Sequence, residues 1–288
     1  MAKTQFLRRR IRSITNTKQI TKAMEIVASV KMRHAQERVL RARPYATATH
    51  EAIHQSGLVA ASQLSHPLLQ SRPIKNRLLI IITSDRGLAG AYNSNVLRLF
   101  LASLKQATEN QVGIKAIVIG NYGIQFARRL DTIELIGVYP HWPTESSYTD
   151  IRPIARTAMD EYKRGSVDSV EIIYTKFTST IKQHVLLAPI IPMSRDTESD
   201  KQSDTIVYEP SSEVVLSFVI PRAVEVAIYQ AVLDAVASEE SMRMMAMKNA
   251  SDNAAELIDD LTLTYNSARQ AAITQELAEI TSGAEAMR

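Results

Sequence analysis

Residues 222–282 read RAVEVAIYQAVLDAVASEESMRMMAMKNASDNAAELIDDLTLTYNSARQAAITQELAEITS, an uninterrupted run of 61 residues that contains neither Gly nor Pro. At a rise of about 1.5 Å per residue this run predicts a helix about 90 Å long, which exceeds the width of a small domain. A helix of that length needs a partner. Residues 1–43 also lack Gly and Pro and are rich in helix formers, so we expect the two ends of the chain to pair.

The net charge of +4 hides a strong contrast between the two ends of the chain. Residues 1–43 carry 12 Lys and Arg against 2 Asp and Glu, whereas residues 222–288 carry 5 against 11. The segment between them is neutral, with 17 of each. Opposite charges on two long helices favour an antiparallel pair of the terminal helices. The competing interpretation of the basic end is a phosphate-binding surface for nucleic acid.

The apolar side chains of both ends recur every three to four residues, which predicts a narrow seam between two helices. The N-terminal seam is predicted to contain Leu7, Ile11, Ile14, Ile20, Met24 and Val27. Polar residues at Thr17, Lys18 and Thr21 interrupt it. Pro44 is expected to bend or restart this helix. The C-terminal seam, rich in small residues, is predicted to contain Ala250, Ala254, Leu257, Leu261, Thr264 or Tyr265, Ala268 and Ala272. Alanines bury little area each, so we expect surrounding partners to stiffen the pair.

The middle of the chain alternates between apolar runs of β-forming residues and helical segments. The predicted strands are 78–83, 114–119, 132–138, 170–177 and 185–190, and the predicted helices between them are 91–108, 122–130 and 150–164. This alternation predicts a Rossmann-like α/β domain with a mostly parallel sheet of about five strands. The last two strands are joined by a few polar residues and should form an antiparallel hairpin. A second helical stretch is predicted at 45–64, and the long C-terminal helix should start between Pro210 and Pro221.

Several motifs could carry chemistry. The sequence HEAIH at 50–54 matches the H-E-x-x-H zinc motif, but His50 and His54 are the only two ligands that can be named. The competing interpretation is a pair of solvent-facing histidines on a helix.

The loop 83–93 follows the first strand and has a G-x-x-G pattern at Gly87 and Gly90, which indicates either an anion site or a tight turn that needs glycine. A methionine cluster at 242–247 indicates core packing or an adaptable partner surface.

Composition excludes other classes of protein. The chain has no Cys, so it has no disulfide framework and no thiolate metal site. Its longest apolar run, 78–82, is too short to cross a bilayer. The N-terminus resembles neither a secretory signal nor a separate transit segment, and we expect the mature chain to start at Met1.

Four stretches are specific enough to indicate a family, and they are ITNTKQITKAMEIVA at 14–28, SDRGLAGAYN at 84–93, MKNASDNA at 247–254 and YNSARQAAITQE at 265–276. Together they closely resemble the gamma subunit family of F-type ATP synthases. The resemblance extends in order over essentially the full length. Departures from the family pattern are small: Ser241 and Met242 stand where the family often has two Ala, and Ser251 stands for a common Thr. The cysteine-bearing regulatory insert of the chloroplast form is missing.

This resemblance implies a rotor shaft with no catalytic residue, cofactor or metal of its own. The terminal helices would form an antiparallel coiled coil inside a ring of alternating alpha and beta subunits, and the α/β domain would contact the epsilon subunit and the membrane c-ring. The implied domains are 1–64, 77–192 and 210–286. The implied location is peripheral, on the cytoplasmic face of the bacterial plasma membrane. The coupling ion, H⁺ or Na⁺, is a property of other subunits.

The resemblance also assigns contact residues. Met24 falls on the family position that faces the lever loop of a beta subunit. Positions that contact alpha- and beta-subunit loops around the shaft correspond to Arg243, Arg269, Gln270 and Thr274. Tyr208 and its neighbours are the expected contact with the c-ring or epsilon subunit.

Overall fold

The computed structural model describes residues 2–55, 66–143, 147–193 and 212–286. This part of the chain contains five helices, five strands and a short 3₁₀ helix at Pro67–Leu69. Their order is the one expected from the sequence, except that the helix predicted at 45–64 is not separate but continues α1 as far as Gln55. Their bounds are α1 Ala2–Gln55, β1 Asn76–Ile82, α2 Tyr92–Glu109, β2 Gly113–Ile119, α3 Asn121–Ala127, β3 Glu134–Tyr139, α4 Tyr148–Lys163, β4 Ser169–Phe177, β5 Gln183–Ile191 and α5 Ser212–Ala286.

The five strands form one sheet in the order β3-β2-β1-β4-β5. The central strand β1 pairs in parallel with β2 and with β4, and β2 pairs in parallel with β3. Helical crossovers connect the parallel strands, whereas the short turn between β4 and β5 permits only an antiparallel pair. The predicted α/β fold, its mostly parallel five-stranded sheet and its closing hairpin are therefore confirmed.

Side-chain alternation along β1 gives the sheet two buried faces, as expected for a parallel sheet that is covered on both sides. Leu78, Ile80 and Ile82 pack in one core with residues of α4 and α5. Leu79 and Ile81 point to the opposite face and pack with residues of α2 and α3. The helix α5 therefore covers one face of the sheet, where its buried residues are Ile220, Val224, Ile228, Ala231, Val232 and Ala235.

Within Val30–Met242, α1 and α5 pack against each other in opposite directions. Ala35 and Val39 of α1 share a small core with Leu233 and Ala237 of α5. Further along α1, Tyr45 contacts Arg222, so the residue numbers rise in one helix as they fall in the other. This antiparallel arrangement agrees with the prediction from charge.

The helix α1 passes through Pro44 without interruption, so the predicted restart there is wrong. Proline removes one backbone hydrogen bond of a helix, and contacts on both sides of Pro44 offset that loss. The Arg43 guanidinium donates to the Phe177 carbonyl at 3.2 Å and lies 3.6 Å from the Asp234 carboxylate. The next residue after the proline, Tyr45, accepts a hydrogen bond from Arg222. The helix α5 likewise contains Pro221, and it begins at Ser212, inside the predicted interval.

The Asp234 carboxylate is buried between α5, α1 and β4. Burial raises the pKa of Asp234 to about 6, although Arg43 and Lys176 act in the opposite direction. The phenol of Tyr174 on β4 faces the same group, and burial raises its pKa to about 12. The contact between α1 and α5 therefore contains one carboxyl group that titrates near neutral pH.

The chain forms two compact units. One contains the beginning of α1, up to Ser29, and the end of α5, from Arg243. The other contains Val30–Met242 with the whole sheet. The domain ranges 1–64, 77–192 and 210–286 remain a prediction. None of the helices in the described part of the chain is both long enough and apolar enough to cross a membrane.

Candidate partner interface on the terminal helices

In the first unit, the buried face of α1 repeats every three and four residues, as in a coiled coil. Lys18, Thr21 and Glu25 belong to this half-buried seam, whereas Ile20 and Val27 are 61% and 56% exposed. The prediction that Ile20 and Val27 lie in the seam is therefore wrong. The heptad spacing of the buried positions places their neighbours Thr21 and Ala28 in the seam instead. The buried or half-buried seam positions are Leu7, Ile11, Ile14, Lys18, Thr21, Glu25 and Ala28.

The seam of α5 follows the same spacing. The buried or half-buried positions are Met247, Ser251, Ala254, Ile258, Leu261, Tyr265, Ala268 and Ala272. Five of them were predicted, and the open choice between Thr264 and Tyr265 falls on Tyr265. Leu257 is 41% exposed and Ile258 takes its place, while Ser251 is buried beside a half-buried Ala250. Small or polar residues take four of the eight seam positions on α5 and four of the seven on α1, so the pair buries less apolar area per turn than a seam of large apolar residues would.

Beyond Ala272, every side chain that the structure describes in residues 273–284 is exposed. Ile273, Leu277 and Ile280 are 49%, 58% and 67% exposed. Their spacing of three and four residues puts them on one face of the helix. This end of α5 therefore presents an apolar stripe that nothing in the described part of the chain covers.

The predicted contact residues on α5 lie beside this stripe. Arg269, Gln270 and Thr274 are all exposed. Ile273 and Leu277 fall between them around the helix at about 100° per residue. The structure thus brings three predicted contact residues and two exposed apolar side chains onto one continuous face.

The other predicted contact residues lie elsewhere. Met24 is half-buried on α1, directly before the seam residue Glu25. Arg243 is half-buried on α5 and has interactions of its own. Tyr208 lies outside the described residues.

A second exposed apolar face lies on α1, opposite its seam. Ile20, Ala23, Ile26 and Val27 are all exposed there. Part of this face lines an open groove of about 500 Å³. The residues that line it are Thr15, Lys18, Gln19, Lys22, Ala23 and Ile26. The heptad spacing of the α1 seam, which begins at Leu7, Ile11 and Ile14, was the sequence signal that could have identified this outer face.

The groove combines apolar side chains with positive charge. The Lys22 ammonium donates to both carboxylate oxygens of Glu25 at 3.1 and 3.0 Å, and 58% of the lysine side chain remains exposed. A half-exposed ion pair of this kind is weak and exchangeable. The groove therefore suits a partner segment that carries apolar and acidic side chains.

The charge contrast between the two helices is displayed to solvent. Arg8, Arg9, Arg10 and Arg12 are exposed and enter no ion pair found among the described side chains. Four acidic residues of α5 are likewise exposed and enter no ion pair found among the described side chains: Asp252, Glu256, Asp259 and Asp260. For these residues the predicted pairing between the helices is not seen.

The loop after β1 uses its polar groups to hold itself in place. The Asp85 carboxylate accepts hydrogen bonds from the backbone N–H groups of Asn121 and His141, both at 2.9 Å, so it ties the β1 loop to the loops after β2 and β3. Gly90 and Leu88 have φ angles of 58° and 64°, which only a tight turn requires. These positive φ angles support the turn interpretation of the loop at Gly90.

The zinc hypothesis receives no support from the described residues. Among them, no cluster of three or more His, Cys, Asp or Glu could hold a metal ion. The side chains of His50 and His54 lie outside the described part, although their backbone belongs to α1.

The fold and these two exposed faces define an interaction protein built on two long terminal helices with an α/β domain between them in sequence. A model of the family described as ATP synthase matches residues 3–287. The chain is 41% identical to the ATP synthase gamma chain of Staphylococcus carnosus over 96% of both chains, and 40% identical to that of Dehalococcoides mccartyi over the full length of both. The chain belongs to the ATP synthase gamma chain family.

Solved structures share the fold. A Tetrahymena thermophila chain from a mitochondrial ATP synthase central stalk and c-ring matches with a TM-score of 0.62 and 23% identity, over 81% of this chain and 99% of its own. A Euglena gracilis chain from a mitochondrial ATP synthase structure of OSCP, F1 and c-ring matches with a TM-score of 0.68 and 19% identity, over 99% and 95%. At these identities the likeness concerns the fold alone.

Proposed function

We propose that the chain is the central rotor shaft of an F-type ATP synthase, which couples rotation of a membrane c-ring to the conformational cycle of catalytic beta subunits. The observation that carries this proposal is the pair of exposed apolar faces on the terminal helices of a gamma-family chain. A helical pair with a weak seam and apolar residues on its outside is suited to work inside a close-fitting partner.

The mechanism requires an asymmetric rod. As the rod turns, each of three otherwise equivalent beta subunits meets a different side of it, and differential contacts shift each subunit toward a different nucleotide affinity. The α1 face with Ile20 and Val27 and the α5 face with Arg269 and Ile273 differ in charge and shape. The asymmetry of these faces supports such a bias. The catalytic residues for ATP synthesis and hydrolysis would belong to the beta subunits.

Specific contacts follow from the family positions. Met24 would face the lever loop of a beta subunit, and Lys22, which lines the groove on a different side of α1, would attract acidic side chains of a partner segment there. Arg243, Arg269, Gln270 and Thr274 would contact alpha- and beta-subunit loops around the shaft. Tyr208 would lie toward the epsilon subunit and c-ring. The domains would be 1–64, 77–192 and 210–286, and the complex would hold the chain peripherally at the cytoplasmic face of the plasma membrane. The transported ion, H⁺ or Na⁺, would be selected by other subunits.

Purification of the tagged chain from its native membranes tests this function. We expect it to bring down three copies each of two larger nucleotide-binding subunits, together with a small c-ring protein. ATP turnover should belong to that complex. A chain that purifies without nucleotide-binding partners, or that hydrolyses ATP alone, contradicts the proposal.

A further inference from the structure

A cluster of polar side chains joins α4, α5 and α1 within Val30–Met242. Its centre is the Glu225 carboxylate of α5, whose side chain is 15% exposed. The Tyr148 hydroxyl, at the first residue of α4, donates a hydrogen bond to this carboxylate. Arg152 of α4 and Arg222 of α5 lie 3.7 and 3.4 Å from it. We call these four residues and Tyr45 the Glu225 cluster.

The Tyr148 ring is fixed from two directions. The Arg222 guanidinium lies 3.7 Å from the ring centroid, and the Tyr229 ring meets it edge-on at 5.8 Å. Burial and the bond to Glu225 raise the pKa of the Tyr148 phenol, so its hydroxyl stays a donor. Ser147 and Asp150 form a capping box at the start of α4. The ring, its hydroxyl and the backbone that carries them are therefore all held in one place.

The cluster also reaches α1. The Arg222 Nε donates to the Tyr45 hydroxyl at 3.4 Å, one residue after Pro44. The same arginine thus contacts α1 through Tyr45, α4 through the Tyr148 ring and its own helix through Glu225. Three elements that are distant in sequence meet at one guanidinium group.

Apolar packing fixes the position of α5 on the sheet less sharply than directional hydrogen bonds do. Ile220, Val224 and Ile228 bury their side chains in the core. The hydrophobic effect opposes their exposure but has no direction, so it does not by itself set the register of a helix along its axis. Hydrogen bonds to a half-buried carboxylate do have direction and resist small axial and rotational shifts.

From this geometry we propose that the Glu225 cluster is a force-bearing contact. It locks α5 in axial and rotational register on α4 and on the neighbouring turn of α1, so that torque applied to the α/β domain passes into the two long helices without slip. This inference rests on the proposed rotor function. The residues of the cluster are positioning residues and act through α5.

Two variants test the contact itself. Tyr148→Phe removes one hydroxyl and keeps the ring, and Glu225→Gln removes the charge and keeps the shape. In the full chain, we expect the amide hydrogens of residues 152 and 154–156 to exchange about tenfold faster in either variant, as for loss of one hydrogen bond to a charged group. The double variant should add little, because both changes break the same bond. Asp160→Asn, which removes an exposed ion pair with Arg156 on α4, is the matched control and should leave exchange unchanged.

A mechanical measurement tests the role. A particle attached to the α/β domain of the assembled complex should fluctuate over a wider angle in Glu225→Gln than in wild type or Asp160→Asn. ATP hydrolysis by the complex of this chain with the catalytic ring, detached from the membrane, should stay unchanged. Ion-driven ATP synthesis by the membrane-bound complex should fall. Wild-type exchange rates and wild-type angular fluctuations in Glu225→Gln overturn the force-bearing contact and leave the rotor function standing. A wild-type chain that never assembles with nucleotide-binding subunits overturns the rotor function itself.

Discussion

Arg43 of α1 and Asp234 of α5 form an ion pair at 3.6 Å in which the carboxylate is buried and the guanidinium is 44% exposed. Such a pair does not stabilise a fold as much as its distance suggests, because the buried carboxylate loses its hydration. The pKa of Asp234, raised to about 6, reflects that loss.

The pH dependence of stability follows from Asp234. Its pKa is about 6 in the folded chain, whereas an ordinary aspartate, as in the unfolded chain, has a pKa of 3.8. Folding therefore favours the protonated form. The resulting contribution is complete below about pH 4 and is lost as the pH rises through 6. We expect the free energy of unfolding, relative to Asp234→Asn, to fall by about 2–3 kcal/mol between pH 4 and pH 7.5. Urea unfolding at several pH values measures this. The exposed Asp252→Asn is the control, and equal pH profiles for Asp234→Asn and wild type would contradict the assignment.

The heptad phase of α1 predicts opposite results for two substitutions. Ala28 is buried in the seam, so Ala28→Leu should destabilise the chain by about 1–3 kcal/mol through overpacking. Ile20 faces solvent, so Ile20→Ser should change stability by less than about 0.5 kcal/mol. Urea unfolding midpoints of the isolated chain compare the two. A larger loss in Ile20→Ser than in Ala28→Leu would show that the seam runs through Ile20.

The exposed end of α5 should matter for partners more than for folding. Ile273→Ser and Arg269→Gln should leave the urea midpoint unchanged and lower the affinity for the ring of alpha and beta subunits by about tenfold each. Asp260→Asn, on a different side of the same helix, is the matched control. Affinity can be measured by reconstituting the ring with labelled chain. Unchanged affinity in both variants would remove Arg269 from the interface.

The β1 loop offers a test of its turn interpretation. Asp85→Ala leaves the N–H groups of Asn121 and His141 without their acceptor and should cost about 1–3 kcal/mol. Asp85→Asn retains an oxygen and should cost less. Thermal unfolding of the two variants orders them. A nucleotide that raises the melting temperature of wild type would instead point to an anion site.

The elements of the α/β domain could be predicted because the strands are rich in β-branched and leucine residues and are separated by polar turns, as in LLIII at 78–82 of β1. The phase of the helical seam could not be predicted in the same way. Ile20 and Val27 are apolar but point outward, and Lys18 and Thr21 are polar but belong to the seam, so counting apolar residues shifts the seam by one position. We propose a partner for the outward face, and a single sequence does not separate residues that pack within the chain from residues that pack against another chain.

Long-range contacts also escaped prediction. The passage of α1 through Pro44 depends on Arg43 and Tyr45 meeting α5. The Glu225 cluster joins Tyr148 to a residue 77 positions away. No local pattern in either segment indicates that pairing. The contact residues Arg269, Gln270 and Thr274 came from family resemblance, and their roles remain predictions.

The bare apolar end of α5 has a consequence for how the cell handles this chain. A copy that has not found its partners leaves Ile273, Leu277 and Ile280 in water on a lone helix, where quality-control proteases recognise exposed apolar segments. Surplus copies should therefore be short-lived, and the abundance of the chain should follow that of its partners even when its own synthesis exceeds theirs.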